Sequence, residues 1–343
     1  MITACMIVKN EEGRVGPSLD SILPMVDHVV IADTGSTDGT VEEIRSRGVL
    51  PLIIPWEDDF SSARNHVLSY VKSGWVLSVD GDEVITERHA GALREAVDSG
   101  DADAYILEKR SYVGTPGGLS YRKCSGEYRE ERSYPGYLLE PNDLLFRVSP
   151  GVAWESVVHE TVGGSLVGLG YTRKPLPSVV LHNYGRLKGA GVTDYYASLI
   201  AKRMAATPGD PVSMYYMALQ LDAEGKLAES ESMYSSSLAL DKRDFSVYGL
   251  AHVRHRLGKH MEAEAGYVEF LRMRPEESTA WLGLFSTCML QDSQDKLDYY
   301  VQWCERSGYV SNHLLKFVAY CSEKMGNTAL RDYYIGKYDA TIT

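Results

Sequence analysis

Cysteine is scarce in this sequence. Only Cys5, Cys124, Cys288, Cys304 and Cys321 occur in 343 residues, with no CxxC pair among them. An odd, scattered set argues against a disulfide framework or a paired-thiolate zinc site, and a reducing cytoplasm is the expected setting. Long apolar runs are missing as well. Nothing approaches the roughly 18 residues of a membrane span, and the opening "MITACMIVKN" lacks the charged start and long apolar core of a leader peptide. Positive charge is in short supply, with 35 Lys and Arg against 47 Asp and Glu and a net charge of -12. That balance disfavours a nucleic-acid partner held by a basic surface. The local basic stretch "YRKCSGEYREER" carries glutamates of its own and reads as a solvated segment. Phenylalanine is rare, 6 copies against 23 tyrosines, and Tyr suits grooves and half-wet interfaces because an apolar ring carries a polar tip.

What remains is a folded chain, 44% apolar, long enough for about two domains. Up to about residue 190, strand-like runs alternate with amphipathic helical ones. "ACMIVKN", "HVVIADTG", "VLPLIIPW" and "WVLSVDGD" read as strands; "PSLDSILPMV", "DGTVEEIRSRG" and "SSARNHVLSYVKSG" read as the helices between them. Such alternation predicts an α/β domain with a mostly parallel sheet covered on both faces. Ligands of such sheets bind beyond the carboxyl ends of the strands, where Lys9, Asn10, Asp33, Asp80 and Asp82 all fall. The stretch 100–185 is less regular. Two more strands, "DAYILEKRSYV" and "DLLFRVS", flank a Gly- and Tyr-rich connection expected either to cover a substrate or bind an acceptor, or to be a plain disordered insertion.

From about residue 192 strand signals vanish and a period of 33 appears. Gly225 recurs as Gly258, Lys226 as Lys259, Glu229 as Glu262, Tyr234 as Tyr267 and Leu238 as Leu271. Tyr215, Tyr248 and Trp281 follow the same step, and Tyr267 leads on to Tyr300 and Tyr333. A period near 34 with Gly between two helices resembles tetratricopeptide repeats, whose concave face commonly takes a peptide or protein. The expected organisation is an α/β domain over residues 1–190, a connecting helix over 191–207 and helical repeats over 208–343.

The chemistry is concentrated in the first half. In "IADTGSTDGTVEEI", Ser36, Thr37 and Asp38 are natural helix caps. The same turn offers backbone N–H groups to a phosphate and Asp33 to a nucleoside. "WEDDFSSARNHVL" brings Arg64 and Asn65 to the same end of the sheet, where a cation can meet a diphosphate. "VDGDE" sets Asp80 and Asp82 two residues apart on a turn, where both can reach one divalent cation. Read alone, that spacing also permits a plain acidic turn, or the nucleophile and acid of a haloacid-dehalogenase-like phosphatase. Such phosphatases carry the pair on their first strand, whereas here it follows the fourth.

"MIVKNEE", "DTGSTDGT", "DDFSSARN", "VDGDE", "VVHE" and "LHNYG" together resemble family 2 glycosyltransferases of the GT-A fold. The closest resemblance is to the bacterial branch fused to tetratricopeptide repeats, which includes peptide S-glycosyltransferases of glycosylated bacteriocins. The resemblance implies an inverting transfer from a UDP- or GDP-sugar, with Mn²⁺ or Mg²⁺, to a hydroxyl or thiol on a peptide or protein. It implies that Asp33 contacts the base, Asp38 supports that pocket, and Arg64 and Asn65 help place the donor. Asp80 would approach ribose or metal, Asp82 would ligate the metal, and Glu160 would be the general base. His182 or His159 would complete the metal site. Gly81 stands where relatives often have Ala, a difference expected to be sterically mild. A saccharide, lipid-linked or modified-nucleobase acceptor, and an inactive domain beside a binding scaffold, are the alternatives.

Overall fold

The computed structural model describes residues 1–116, 120–132, 134–185 and 191–339. The chain divides into two compact units, Met1–Leu199 and Ile200–Thr343.

The first unit is built on a nine-stranded sheet. Four strands form its parallel half: β1 (Ile2–Val8), β2 (His28–Asp33), β3 (Leu52–Ile53) and β4 (Trp75–Ser78). They lie in the order β3-β2-β1-β4, with Val8 level with Asp33 and Cys5 level with Ser78. Because β1 alternates in and out of the sheet plane, it feeds two cores. Ile2, Ala4, Met6 and Val8 pack with Val15, Leu19 and Ile22 of α1 (Val15–Ile22) on one face. Cys5 and Ile7 pack with Val67 and Leu68 of α3 (Phe60–Leu68) on the other. Between β2 and β3 runs the short α2 (Thr40–Arg45).

Past β4 the sheet turns mixed. It continues through β8 (Gly136–Arg147), β6 (Ala104–Val113), β9 (Arg173–Asn183) and β5 (Glu83–Ile85). β8 runs antiparallel to both β4 and β6, and β9 runs parallel to β6. The expected mostly parallel character thus holds for the first four strands and for the β6–β9 pair, and the remaining pairings are antiparallel. The Gly- and Tyr-rich connection carries β7 (Tyr121–Lys123), paired with β8; its residues 117–119 and 133 lie outside the described residues. α4 (Ala90–Ser99) and α5 (Gly163–Gly168) precede β6 and β9. α6 (Gly191–Ala206) follows the sheet.

In the second unit consecutive helices pack in pairs: α7 (Pro211–Ala223) with α8 (Leu227–Leu240), α9 (Asp244–Arg256) with α10 (His260–Met273), α11 (Ser278–Leu290) with α12 (Gln294–Arg306), and α13 (Asn312–Lys324) with α14 (Thr328–Asp339). The repeated glycines have two jobs. Gly225 and Gly258 turn their hairpins at a φ of +76°, a conformation side chains disfavour. Gly249 and Gly283 instead make room for the rings of Tyr234 and Tyr267. A Cβ there would lie 2.4 and 2.5 Å from the ring Cζ. The first pair of helices is thereby keyed to the second, and the second to the third, by a buried Tyr against a bare backbone.

The expected step from Tyr300 to Tyr333 is corrected by one residue. Tyr333 is 57% exposed, whereas Tyr334 is buried. Tyr300 donates to Glu264 at 2.7 Å and Tyr334 donates to Asp298 at 3.0 Å. The period lengthens from 33 to 34 at that point, and the hydrogen-bonding partner moves with it.

Gly283→Ala should destabilise the protein by about 1–3 kcal/mol through overpacking against Tyr267. Gly336→Ala, with open space at its Cβ, should be neutral or stabilising by about 0.5–1 kcal/mol through helix propensity. Urea midpoints of the two variants check this.

Candidate active site

The parallel half brings the ends of β1, β2 and β4 to one edge. β4 ends at Ser78, and the chain turns through Asp80, Gly81 and Asp82 into β5. That turn is fixed from several sides. Ser18 of α1 donates to the Asp80 carbonyl at 3.1 Å, and the Asp80 N–H donates to Glu83 Oε2 at 2.9 Å. Gly81 is tightly enclosed: an added Cβ would lie 3.0 Å from both Val8 Cγ1 and Glu11 Cγ. Alanine there requires two side chains to yield slightly, a closer fit than the sequence suggested.

Arg64 is the hub. Asp59 caps α3 by accepting from the Ser62 N–H at 3.0 Å, which starts the helix so that Arg64 comes in its second turn. Its guanidinium donates from Nε to Glu160 Oε1 at 2.5 Å, from Nη2 to Asp80 Oδ1 at 2.6 Å, and from Nη1 to Ser78 Oγ at 3.3 Å. It also lies over the Trp154 ring, 4.9 Å from its centroid. Burial works against the guanidinium charge, but Asp80 and Glu160 outweigh it and hold the proton more firmly than usual.

Glu160 is carried by a loop that the chain pins to α3. Phe60 N–H donates to the Val157 carbonyl at 2.9 Å. Asn65 clasps the Trp154 backbone in both directions, donating to its carbonyl at 2.9 Å and accepting from its N–H at 2.8 Å. Glu155 and Thr161 close the loop as a bridge, with Ser156 and His159 at positive φ within it. Asn65, expected to help place a donor, has a structural task in this loop. Both ends of its amide hold the loop that presents Glu160.

The Gly/Ser/Thr turn behaves differently from the expectation of free N–H groups. Asp33 Oδ1 accepts from the N–H groups of Gly35 and Ser36, each at 2.9 Å, and its other oxygen accepts from the Ser36 hydroxyl. Asn10 Oδ1 accepts from Thr37 N–H at 2.8 Å, Glu12 from Gly39 N–H at 3.1 Å, and Asp38 from Thr40 N–H at 3.1 Å. The N–H groups of Gly35, Ser36, Thr37, Gly39 and Thr40 are thus already engaged. Burial slightly opposes the Asp38 charge, but the Thr40 and Glu12 donors prevail and keep its carboxyl below the usual range.

The late motif is the clearest correction. His182 is fully buried on β9. Its Nδ1 meets the Tyr112 hydroxyl at 2.7 Å and its Nε2 the Thr86 hydroxyl at 3.1 Å. The ring packs 4.9 Å from Tyr128 and stacks on Tyr112 at 6.0 Å. Burial first, then the charges of Arg110, His89 and Arg88, push it down to about 3, so it is a neutral core residue. His159 is exposed, its ring 6.1 Å from that of Tyr196. Among the described residues no three His, Cys, Asp or Glu side chains are grouped to hold a metal ion. Here His182 is held by Tyr112 and Thr86, and His159 lies near Tyr196.

The neighbours of His182 do reach the acidic turn. Asn183 donates from Nδ2 to Glu83 Oε1 at 2.8 Å and accepts from Gly185 N–H at 2.8 Å. Tyr184 N–H donates to the Asp82 carbonyl at 3.2 Å. Gly185 approaches the Asp82 carboxylate so closely that a Cβ would lie 2.7 Å from Oδ2. A second cation went unnoticed in the sequence: Lys109 of β6, whose Nζ is 2.5 Å from Glu83 Oε1 and 3.6 Å from Asp80 Oδ2. Burial opposes its charge, but Glu83 and Asp80 outweigh this and raise it above the usual lysine range.

An α/β unit with carboxylates and cations gathered beyond its parallel strands carries them where ligands of open α/β sheets bind. Residues 3–154 match the family described as Glycosyl transferase family 2. A TPR repeat-containing protein of Synechococcus elongatus is 26% identical over 272 residues, covering 75% of this chain and 62% of the relative. The prophage-derived glycosyltransferase SunS of Bacillus subtilis is 29% identical over 161 residues, covering 46% of this chain and 34% of the relative. The chain thus spans less than two thirds of the length of these relatives. The crystal structure of MamA covers 43% of this chain and 87% of its own at a TM-score of 0.39 and 13% identity. That likeness is too distant to carry the fold, which rests on the helix pairs described above. No helix among the described residues is long and apolar enough to cross a membrane.

With the folded-state value of His182 near 3 and an ordinary value of 6.5, the unfolded chain binds a proton that the fold refuses. Stability from this group is complete above about pH 6.5 and is lost as pH falls toward 3, at up to about 1.4 kcal/mol per unit. His182→Gln should shift the urea midpoint at neutral pH, yet show a shallower decline than the parent between pH 6.5 and 4. Equal slopes would contradict the buried, neutral assignment.

Proposed function

We propose that the protein is an inverting, metal-dependent glycosyltransferase. It moves a sugar from a UDP- or GDP-sugar to a hydroxyl or thiol of a peptide or protein. Residues 1–190 are the catalytic domain, 191–207 the connecting helix, and 208–343 the repeats that receive the acceptor. The observation that carries this reading is the Glu160–Arg64–Asp80 bridge beside Asp82, at the carboxyl ends of parallel strands in a glycosyl transferase family 2 domain.

Asp33 faces the base, from a turn whose shape it holds together with Asn10 and Asp38. Asp80 and Asp82 suit a Mn²⁺ or Mg²⁺ ion that arrives with the diphosphate, since such ions need only one or two carboxylates beside phosphate oxygens. The ion supplies Lewis-acid neutralisation of the departing charge. Arg64 orients Asp80 and Glu160 relative to each other and adds positive charge toward the diphosphate. The acceptor oxygen or sulfur forms its bond to the anomeric carbon as the bond to the diphosphate breaks, and the electron pair leaves with the diphosphate. Glu160 takes the acceptor proton. A single displacement inverts the anomeric centre and needs no covalent intermediate on the enzyme.

The repeats support a polypeptide acceptor, because paired helices stacked in series present an extended surface. In that array a cleft of about 210 Å³ opens between α8, α9 and α10, with Leu238, Val247 and Leu250 at its wall and Arg254, Glu262 and Glu269 around it.

Release of UDP or GDP from a panel of nucleotide sugars, measured with Mn²⁺ or Mg²⁺, tests the reading. Asp82→Asn should lose metal-dependent release. Glu160→Gln should retain nucleotide binding while transfer falls about 10²–10⁴-fold. A folded protein that neither binds nor turns over any donor would instead favour a repeat scaffold beside an inactive domain.

Removing residues 208–343 should reduce acceptor glycosylation far more than donor hydrolysis. Equal loss of both in a soluble, folded truncation would contradict the acceptor role of the repeats.

A further inference from the structure

The acidic turn has two cations, and only one of them was anticipated. Arg64 comes from α3 and takes Asp80 Oδ1; Lys109 comes from β6 and approaches Asp80 Oδ2 from a different element. The stronger Lys109 contact is to Glu83, whose side chain is 1% exposed. A buried Glu83 needs neither a metal nor a substrate to account for it, because Lys109 and the Asn183 amide share one of its oxygens and the Asp80 N–H takes the other. The pair is therefore built into the fold and present before any ligand arrives. Its charged members reach Asp80, Lys109 at 3.6 Å from its carboxylate and Glu83 at 2.9 Å from its N–H.

We propose that Lys109 is a positioning residue that sets the charge of the acidic turn, so that divalent cation and donor diphosphate are admitted together rather than the cation alone. The proposal rests on the glycosyltransferase reading above and adds a role for a residue outside its motifs. Two carboxylates on one turn attract a free divalent cation. Two fixed cations against Asp80 weaken that attraction while favouring an anionic diphosphate. Lys109 thus moves the two affinities in opposite directions, which a merely structural residue does not.

The test uses the full chain and two probes, each titrated alone by calorimetry: MnCl₂ without nucleotide, and UDP and GDP without metal. Lys109→Met should bind Mn²⁺ about tenfold more tightly and nucleoside diphosphate about tenfold more weakly, as expected for loss of one nearby unit charge at an effective dielectric constant of about 20, partly screened. Lys109→Arg should leave both near the parent values. Because Lys109→Met strands a buried carboxylate and endangers folding, the double variant Lys109→Met/Glu83→Gln is measured beside it. It keeps the net charge of the parent, and both affinities should return to within about threefold of it if charge is the cause. Shifts in the same direction, no shift in either, or a double variant that behaves like Lys109→Met would overturn the role of Lys109 while leaving the transferase reading intact. A parent protein that binds neither UDP nor GDP, with or without Mn²⁺, removes both.

Discussion

The site depends on one buried guanidinium. Arg64 has a side chain only 11% exposed and holds two carboxylates from distant parts of the chain, Asp80 after β4 and Glu160 in the loop before α5. Neither acid has a reason to approach the other; like charges in a low-dielectric edge repel. The cation between them converts that repulsion into a bridge, and it fixes the distance between the acidic turn and the opposed carboxylate. A buried ion pair of this kind is weak evidence of net stability, but removal of its central member leaves uncompensated charge and is severely destabilising. The same constraint explains why the loop around Glu160 is clasped by Asn65 and Phe60. An acid aimed at an arginine on α3 holds its geometry only if the backbone carrying it is fastened to α3 as well.

A second theme is self-saturation. The turn from Asp33 to Thr40 directs its N–H groups onto Asp33, Asn10, Glu12 and Asp38. Short polar side chains after a strand compete well for nearby backbone donors, so a Gly/Ser/Thr-rich turn is not automatically a phosphate cradle. Here the result is a stiff turn that presents Asp33 at the end of β2. Rigidity at the end of β2 and charge at the end of β4 come from different residues, which lets each be tuned without disturbing the other.

Much of the first unit was legible because its strands are short, apolar and followed by polar turns. The ends of β1, β2 and β4 could be placed at one edge from alternation alone. What was hidden follows from long-range register. Lys109 lies within "YILEKRSYV", where a lysine among alternating residues reads as a solvent-facing strand position. Only the pairing of β6 with β9, and of β9 with β5, carries it to Glu83. The setting of His182 was hidden for a related reason. A histidine near the end of a strand in a motif-like run suggests a ligand, but the alternation of β9 turns it into the tyrosine-lined core and leaves Asn183 and Gly185 facing the acidic turn. In the repeats, a fixed step of 33 found Tyr234 and Tyr267 but fell one residue short in the last pair, where one extra residue shifts the buried ring to Tyr334.

The repeats also show why their glycines come in two kinds. A glycine at a hairpin turn answers to a local backbone angle, and its replacement is felt within that hairpin. Gly249 and Gly283 answer to a neighbour's ring, so their replacement is felt between successive pairs of helices. In a quasi-one-dimensional array stability is a sum of unit and interface contributions, and these two classes act on the two contributions separately. The buried tyrosines carry the interface contribution in both senses. Their rings fill the space the glycines leave, and further along the array Tyr300 and Tyr334 reach across to carboxylates of the preceding pair. An array keyed in this way resists bending at its joints, the property a surface needs if it is to hold an extended polypeptide in register.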